Sequence, residues 1–115
     1  MRIVIAGEVD LTPGVREAAL AGAAPFIAMA LAEEGCRHYA WSADPALPDR
    51  VHVFEEWDDA ATLQAHLEGD AYRAMLGHLG GFGIVAADTR KYRVTKQAPV
   101  YGADGVASAR FGDEA

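Results

Sequence analysis

The sequence is poor in residues that form covalent or metal cross-links. Cys36 is the only cysteine among 115 residues, so no disulfide can form within the chain and no multi-thiolate zinc site can be built from it. No apolar run is long enough to cross a bilayer, and the N-terminal run from Met1 to Ile5 is too short for a signal peptide. We therefore expect a cytoplasmic protein.

Positive charge is also scarce. Ten Lys and Arg stand against 17 Asp and Glu, which gives a net charge of -7, and the basic residues are scattered apart from Arg90, Lys91 and Arg93. Nucleic acids and anionic membrane surfaces require clustered basic side chains, so we expect neither as a partner. The apolar fraction of 51% is sufficient for the packed core of one domain.

Alternating apolar residues predict strands over residues 2–11, 36–43, 50–57 and 84–95. An alanine-rich helical segment follows the first strand. Thr12-Pro13 predicts its start, a hydroxyl N-cap followed by proline, and Gly35 predicts its end. Pro25 lies inside this segment and cannot donate a backbone hydrogen bond. It predicts a kink or two short helices.

Asp58 predicts the N-cap of a second helical region over residues 59–68, and Asp70 predicts the N-cap of a further helical run that Gly80-Gly81-Phe82-Gly83 ends. The order strand, helix, strand, strand, helix, strand is that of a ferredoxin-like βαββαβ fold, an α+β domain with an antiparallel sheet. This domain covers residues 1–95. Residues 96–115 show no period and are predicted to be a tail that is loose or wraps around a partner.

The second and third strands carry large side chains on both faces, in two sets separated by parity. One set is Tyr39, Trp41, Val53, Glu55 and Trp57, and the other is His38, His52 and Phe54. An antiparallel sheet with one wet face carries polar residues on that face, so we expect both faces to be covered. An identical sheet in a two-fold homodimer is the simplest cover. Parity leaves open which set lines a site and which lies in the dimer.

One stretch of the chain has a distinctive order of residues: Glu55, then Trp57, then a predicted helix that contains His66. Three shorter segments stand in matching order around it, namely Thr12-Pro13-Gly14, Gly35-Cys36-Arg37-His38-Tyr39 and Asp70-Ala71-Tyr72. Over residues 1–95 this order resembles the antibiotic biosynthesis monooxygenase (ABM) family. The resemblance implies a dimeric α/β barrel with a pocket between sheet and helices in each subunit.

The activity that the resemblance implies is the oxidation of a small aromatic, quinol or anthrone-like compound by O2, without a metal or a cofactor. Related barrels that degrade haem use an asparagine near the N-terminus, and this sequence contains no asparagine, which disfavours that activity. Two alternatives stay open. One is a non-catalytic ligand-binding or structural barrel, whose aromatic side chains leave no pocket. The other is an isomerase or lyase that uses the same base without O2.

The candidate catalytic residues follow from the resemblance. His66 is predicted to be a general base that works near neutral pH, Glu55 the carboxylate that orients it, and Tyr39 or Tyr72 a hydroxyl donor. In the structural alternative, His66 locks its helix to the sheet and forms an ion pair with Glu55. The candidate substrate-binding residues, suited to stacking on a ring, are Trp57, Trp41, Phe54, His52, His38, Phe26 and Met75.

The four histidines match no established spacing of metal ligands. His38 and His52 have the same parity on neighbouring strands and are predicted to lie across from each other. Because no third ligand is suggested at a fixed spacing, we predict no metal site.

Overall fold

Four antiparallel strands and four helices form the protein in a computed structural model, which describes residues 1–112. The elements are β1 (Ile3–Leu11), α1 (Arg16–Ala21), α2 (Ala24–Leu31), β2 (Cys36–Ala43), β3 (Arg50–Trp57), α3 (Ala60–Leu67), α4 (Asp70–Phe82) and β4 (Ile84–Arg93). The strands lie in the order β2-β3-β1-β4, with antiparallel pairing throughout. The predicted α+β, ferredoxin-like fold is confirmed.

The helices pack on one face of the sheet, where the core forms. Trp57 is fully buried, and Leu11, Val51, Met75 and Leu79 are at most 3% exposed. Burying an aliphatic or aromatic side chain of this size stabilises the fold by about 1.5–3 kcal/mol. Within residues 1–112, no helix combines the length and the apolar character needed to span a membrane.

The alanine-rich segment forms two short helices, as Pro25 predicted. α1 ends at Ala21, and Pro25 lies in the first turn of α2, where its missing N–H needs no helical partner. The predicted start at Thr12-Pro13 is wrong, because α1 begins at Arg16. The backbone N–H of Thr12 instead donates to the carbonyl oxygen of Gly83 at 2.9 Å, which joins the end of β1 to the start of β4.

Three further helix ends differ from their predicted positions. The N-cap of α3 is Asp59 and not Asp58. Asp59 accepts a hydrogen bond from the Thr62 N–H at 2.8 Å, and Thr62 Oγ1 accepts one in return from the Asp59 N–H, which is a capping box. The N-cap of α4 is Gly69 and not Asp70, which is the first residue of the helix. Helix α4 continues through Gly80 to Phe82 and ends at Gly83, whose φ of +93° favours glycine.

The tail contains a small hairpin that the sequence pattern did not predict. Tyr101 forms a β-bridge with Ala107, and Ser108 N–H donates to the Val100 carbonyl oxygen at 2.9 Å. Val100 and Tyr101 are more than 60% exposed. Wrapping around a partner stays a prediction, and residues 113–115 of the predicted tail lie outside the described part of the chain.

Strand register assigns the two parity sets to opposite faces. Tyr39 pairs with Glu55, and Trp41 pairs with Val53, on the face that the helices cover. The other face has no covering element among residues 1–112 and carries His38, His52 and Phe54. His38 pairs with Glu56, whereas His52 pairs with Ser42, so the two histidines do not lie across from each other as predicted.

Gly7 allows β1 and β4 to approach closely. A Cβ at Gly7 would lie 2.6 Å from Thr89 Cα and would collide with the Asp88 carbonyl oxygen. We expect Gly7→Ala to lower the free energy of unfolding by about 1–3 kcal/mol. At Gly77, inside α4, a Cβ would meet no described atom within 4 Å. Gly77→Ala should therefore raise the free energy of unfolding by about 0.5–1 kcal/mol.

Urea unfolding at one fixed protein concentration measures both effects. A Gly7→Ala variant as stable as the parent protein would contradict the close approach.

Candidate active site

A cavity of about 330 Å³ lies between the helix-covered face of the sheet and helices α3 and α4. Its walls are mostly apolar, and a few polar side chains converge on it: Tyr39, Trp41, Glu55, His66 and Tyr72. It is open to solvent, because its lining includes exposed residues on β4, such as Ile84 and Thr89, and on the helices, such as Leu76. An apolar cavity with a few convergent polar groups is the usual form of a small-molecule site. The sealed interior expected of a purely structural barrel is not found in residues 1–112.

His66 lies in the last turn of α3 and is 2% exposed. Its ring is surrounded by aromatic rings, with centroid separations of 4.5 Å to Trp57, 5.7 Å to Tyr39 and 5.9 Å to Tyr72. Asp59 caps the same short helix from its other end. The cap and the aromatic contacts together hold the imidazole in one orientation at the cavity wall.

Two carboxylates flank the His66 ring, one at each nitrogen. Nδ1 lies 2.5 Å from Glu33 Oε1, and Nε2 lies 3.8 Å from Glu55 Oε1. The first distance is that of a strong hydrogen bond, whereas the second is an ion-pair distance. When the ring is neutral, donation from Nδ1–H to Glu33 leaves the lone pair on Nε2, the nitrogen that faces Glu55.

Glu55 is 7% exposed and accepts a hydrogen bond from Trp57 Nε1 at 3.0 Å. Burial raises the pKa of Glu55, while the Trp57 N–H and His66 oppose that rise. Its predicted closeness to His66 is present, but the carboxylate that accepts the hydrogen bond orienting the ring is Glu33. Glu55 is therefore a second carboxylate of the site, at the nitrogen that points toward the cavity.

Glu33 was not among the predicted site residues. It lies in the turn after α2, 33 residues before His66 in sequence, and its side chain is 27% exposed. A carboxylate just after a helix C-terminus is opposed by the helix dipole. The two glutamates before Gly35 therefore indicated, in the sequence, that one of them has a hydrogen-bond partner elsewhere in the fold.

Two further hydrogen-bond donors, Tyr39 and Trp41, line the cavity. Tyr39 is 6% exposed, and burial raises the pKa of its phenol, so the hydroxyl stays protonated. Trp41 Nε1 is buried without a hydrogen-bond partner among residues 1–112. An unpaired buried donor costs about 1–3 kcal/mol, which an acceptor oxygen of a ligand would offset.

Only some of the predicted substrate-binding residues line the cavity. Trp41 and Met75 line the cavity, whereas Trp57 lies beneath His66 and holds Glu55. Phe26 packs against His78, with ring centroids 5.1 Å apart.

The remaining three predicted binding residues lie on the uncovered sheet face. Phe54 is 41% exposed there, and the His38 ring is 6.1 Å from it. His52 Nε2 lies 2.6 Å from Asp44 Oδ2. All three therefore lie outside the cavity. No group of three or more His, Cys, Asp or Glu in residues 1–112 is arranged to hold a metal ion.

A ferredoxin-like sheet with an apolar cavity beneath its helices, and a buried histidine between two carboxylates, defines a small α+β protein with an internal cavity. Comparison with known proteins identifies the family. The family model described as antibiotic biosynthesis monooxygenase matches residues 2–77, and the chain belongs to this family. The match includes Glu33, Glu55, His66 and Tyr72 and stops before β4.

The chain is also similar to individual relatives. It is 33% identical over 76 residues to the Escherichia coli K12 protein named "Probable quinol monooxygenase YgiN", which covers 57% of this chain and 73% of that protein. A conserved protein from Methanosarcina mazei Go1 has a TM-score of 0.72 at 22% identity, covering 81% of this chain and 92% of its own. Rv0793 from Mycobacterium tuberculosis has a TM-score of 0.72 at 19% identity, covering 86% and 100%. These two structures support the fold.

The raised pKa of Glu55 predicts a pH-dependent stability difference for Glu55→Gln. The folded state binds the Glu55 proton more tightly than the unfolded chain does. Stability is therefore greatest below the unfolded-state pKa and declines as the pH rises through the folded-state pKa. Because glutamine removes this decline, the variant should gain stability relative to the parent protein as the pH is raised above the ordinary glutamate pKa of 4.5, as measured by urea unfolding.

Glu34→Gln removes one negative charge from an exposed site beside Glu33 and serves as the control. A Glu55→Gln variant that loses stability relative to the parent protein as the pH rises would contradict the assignment.

Proposed function

We propose that this protein is a cofactor-independent monooxygenase that oxidises a small aromatic, quinol or anthrone-like compound with O2 inside the cavity. The observation that carries the proposal is the buried His66, held through Nδ1 by Glu33, with Nε2 free of a close hydrogen bond at the cavity wall. Membership of the monooxygenase family and the name of the E. coli relative support the same reaction class.

The cavity suits a compact ring compound. Its volume of about 330 Å³ is at the lower end of the ~300–1,000 Å³ typical of small-molecule sites. Aliphatic side chains such as Ile5, Met75 and Leu79 would contact the ring faces, and the donors Tyr39 and Trp41 would bind a ring oxygen. A flat apolar substrate that carries one or two oxygen atoms would match these apolar walls and hydrogen-bond donors.

In the proposed reaction, His66 Nε2 accepts an acidic proton from the substrate. Glu33 and Glu55 flank the resulting imidazolium and stabilise its charge. The substrate anion keeps its negative charge on the ring oxygen, where the Tyr39 hydroxyl donates to it. Preorganised donors of this kind stabilise developing charge without having to reorient.

The substrate anion then transfers one electron to O2, and the resulting substrate radical and superoxide combine to form a peroxide anion. The peroxide takes back one proton. In an anthrone-like substrate, loss of water then converts the CH2 group between two rings into a carbonyl group. One oxygen atom of O2 enters the product and the other leaves as water, so the four-electron oxidation of the carbon matches the four-electron reduction of O2 without a further reductant.

Oxygen uptake tests the proposal, with a naphthoquinol and anthrone as substrates and with EDTA present. We expect uptake that depends on the protein, and a reduction of kcat by about 10²–10⁴-fold in His66→Gln, because the general base is lost. Circular dichroism checks that this variant is folded.

Two tryptophan substitutions test whether the reaction takes place inside the cavity or on the protein surface. Leu76 lines the cavity and is 49% exposed, whereas Leu47 is 48% exposed in the β2–β3 loop, outside this cavity. We expect Leu76→Trp to abolish uptake and Leu47→Trp to retain it. If the protein binds these ring compounds but causes no oxygen uptake with either of them, the non-catalytic ligand-binding alternative would be supported instead.

We also propose that a second copy of the chain covers the open sheet face. This face carries Phe54 at 41% and Tyr92 at 52% exposure, around small residues such as Ala6. Charged pairs stand at its margin, including Arg50 with Asp10 at 2.9 Å. An apolar centre with a charged margin is typical of protein interfaces, and two-fold pairing would join two identical faces.

A charge at the centre of this face should separate the two copies. We expect Phe54→Asp to halve the molecular mass found by sedimentation equilibrium, because each copy would bury an unpaired carboxylate. Leu47→Asp adds the same charge at a similarly exposed loop position and should leave the mass unchanged. An unchanged mass for Phe54→Asp would contradict pairing through this face.

A further inference from the structure

His66 forms part of the wall of two separate spaces. Its cavity side faces the candidate active site, and its other side faces an outer cleft on the protein surface, to which Glu33, Glu34, Asp59 and Thr62 also contribute. The side chain of His66 is 1% exposed, whereas that of Glu33 is 27% exposed. A single imidazole therefore stands between the cavity and the outer cleft, with Glu33 on the cleft side.

We propose that His66 and Glu33 form a proton relay, in which Glu33 exchanges the substrate's proton with solvent at the outer cleft. This inference rests on the proposed function, since it requires that His66 accept a proton inside the cavity. It adds a role for Glu33 beyond orienting the ring. Glu33 is then a proton-transfer residue that acts through His66 and does not contact the substrate.

The outward transfer balances at each atom. The substrate gives its proton to His66 Nε2, and the ring then carries protons on both nitrogens. Nδ1 passes its proton along the 2.5 Å hydrogen bond to Glu33 Oε1, and the Glu33 carboxylic acid releases it to water in the cleft. The ring is left neutral, with its proton on Nε2.

The return transfer restores the starting state. After O2 has added, Glu33 takes up a proton from solvent and returns it to Nδ1, and the peroxide anion then takes the proton from Nε2 of the imidazolium. The tautomer is reset without rotation of the ring, which matters because the ring lies against Trp57, with centroids 4.5 Å apart. Proton transfer through the ring is thus compatible with its tight packing.

The titratable groups around His66 differ in their access to solvent. Glu55, Tyr39 and Tyr72 face the ring from the sheet and from α4 on the cavity side. On the solvent side, Glu33 makes the hydrogen bond, and Glu34 and Asp59 line the cleft without one to the ring. Glu33 therefore has both the contact and the exposure that a relay to solvent needs.

Anaerobic exchange of the anthrone CH2 hydrogens with D2O tests the relay directly, followed by NMR of the recovered anthrone. Glu33→Gln keeps an acceptor oxygen for Nδ1–H but cannot take up the proton, so it separates ring positioning from proton transfer. We expect protein-dependent deuterium incorporation to fall at least about tenfold in Glu33→Gln. Glu34→Gln, which removes the neighbouring cleft carboxylate, should stay within about twofold of the parent protein.

Chemical rescue provides a second readout, which a purely positioning role would not produce. Glu33→Ala opens the cleft at Nδ1, so added formate should restore deuterium incorporation in a concentration-dependent manner. Exchange at the parent rate in Glu33→Gln would overturn the relay. A loss of exchange in Glu33→Ala without formate rescue would also overturn it, since Glu33 would then only position the ring.

Failure of the relay and failure of the proposed function have different outcomes. If the parent protein itself accelerates neither deuterium incorporation nor oxygen uptake, the proposed function fails and the relay fails with it. If the parent protein accelerates both and Glu33→Gln matches it, the relay alone is wrong.

Discussion

The burial of His66 between Glu33 and Glu55 is the constraint on which the rest of the site depends. A buried ionisable group must be paired, because removing one partner of a buried charge pair costs about 3–5 kcal/mol. The two carboxylates come from different parts of the fold, the turn after α2 and strand β3. The pairing of one imidazole therefore joins α3 to β3 and to the turn after α2, at the wall of the cavity.

Trp57 makes this arrangement possible. It is fully buried beneath the His66 ring and donates its indole N–H to Glu55. The same side chain thus completes the core and holds the carboxylate that would otherwise be unsatisfied in an apolar region. The Glu-x-Trp motif therefore contributes both to core packing and to the electrostatics of the site. For this reason a structural and a functional interpretation both fit these residues.

Much of the fold could be predicted because its signals are local. Alternating side chains indicated β2 and β3 with the bounds that the structure has, and Pro25 indicated two short helices. The N-cap of α3 was misplaced by one residue because Asp58 and Asp59 are chemically equivalent in sequence. In the structure Asp58 pairs with Arg37, and Asp59 caps the helix. Glu33 was missed because its partner is 33 residues away.

The sequence by itself determined the order of strands and helices, the family, and the grouping of residues into two parity sets. It could not decide which set faces the cavity, because a period of two is the same seen from either face of a strand. Tertiary structure decided this by packing helices on the Tyr39, Trp41 and Glu55 side alone. The same packing brought Glu33 to His66 Nδ1, since contact between distant segments depends on how the helices lie on the sheet and not on local spacing.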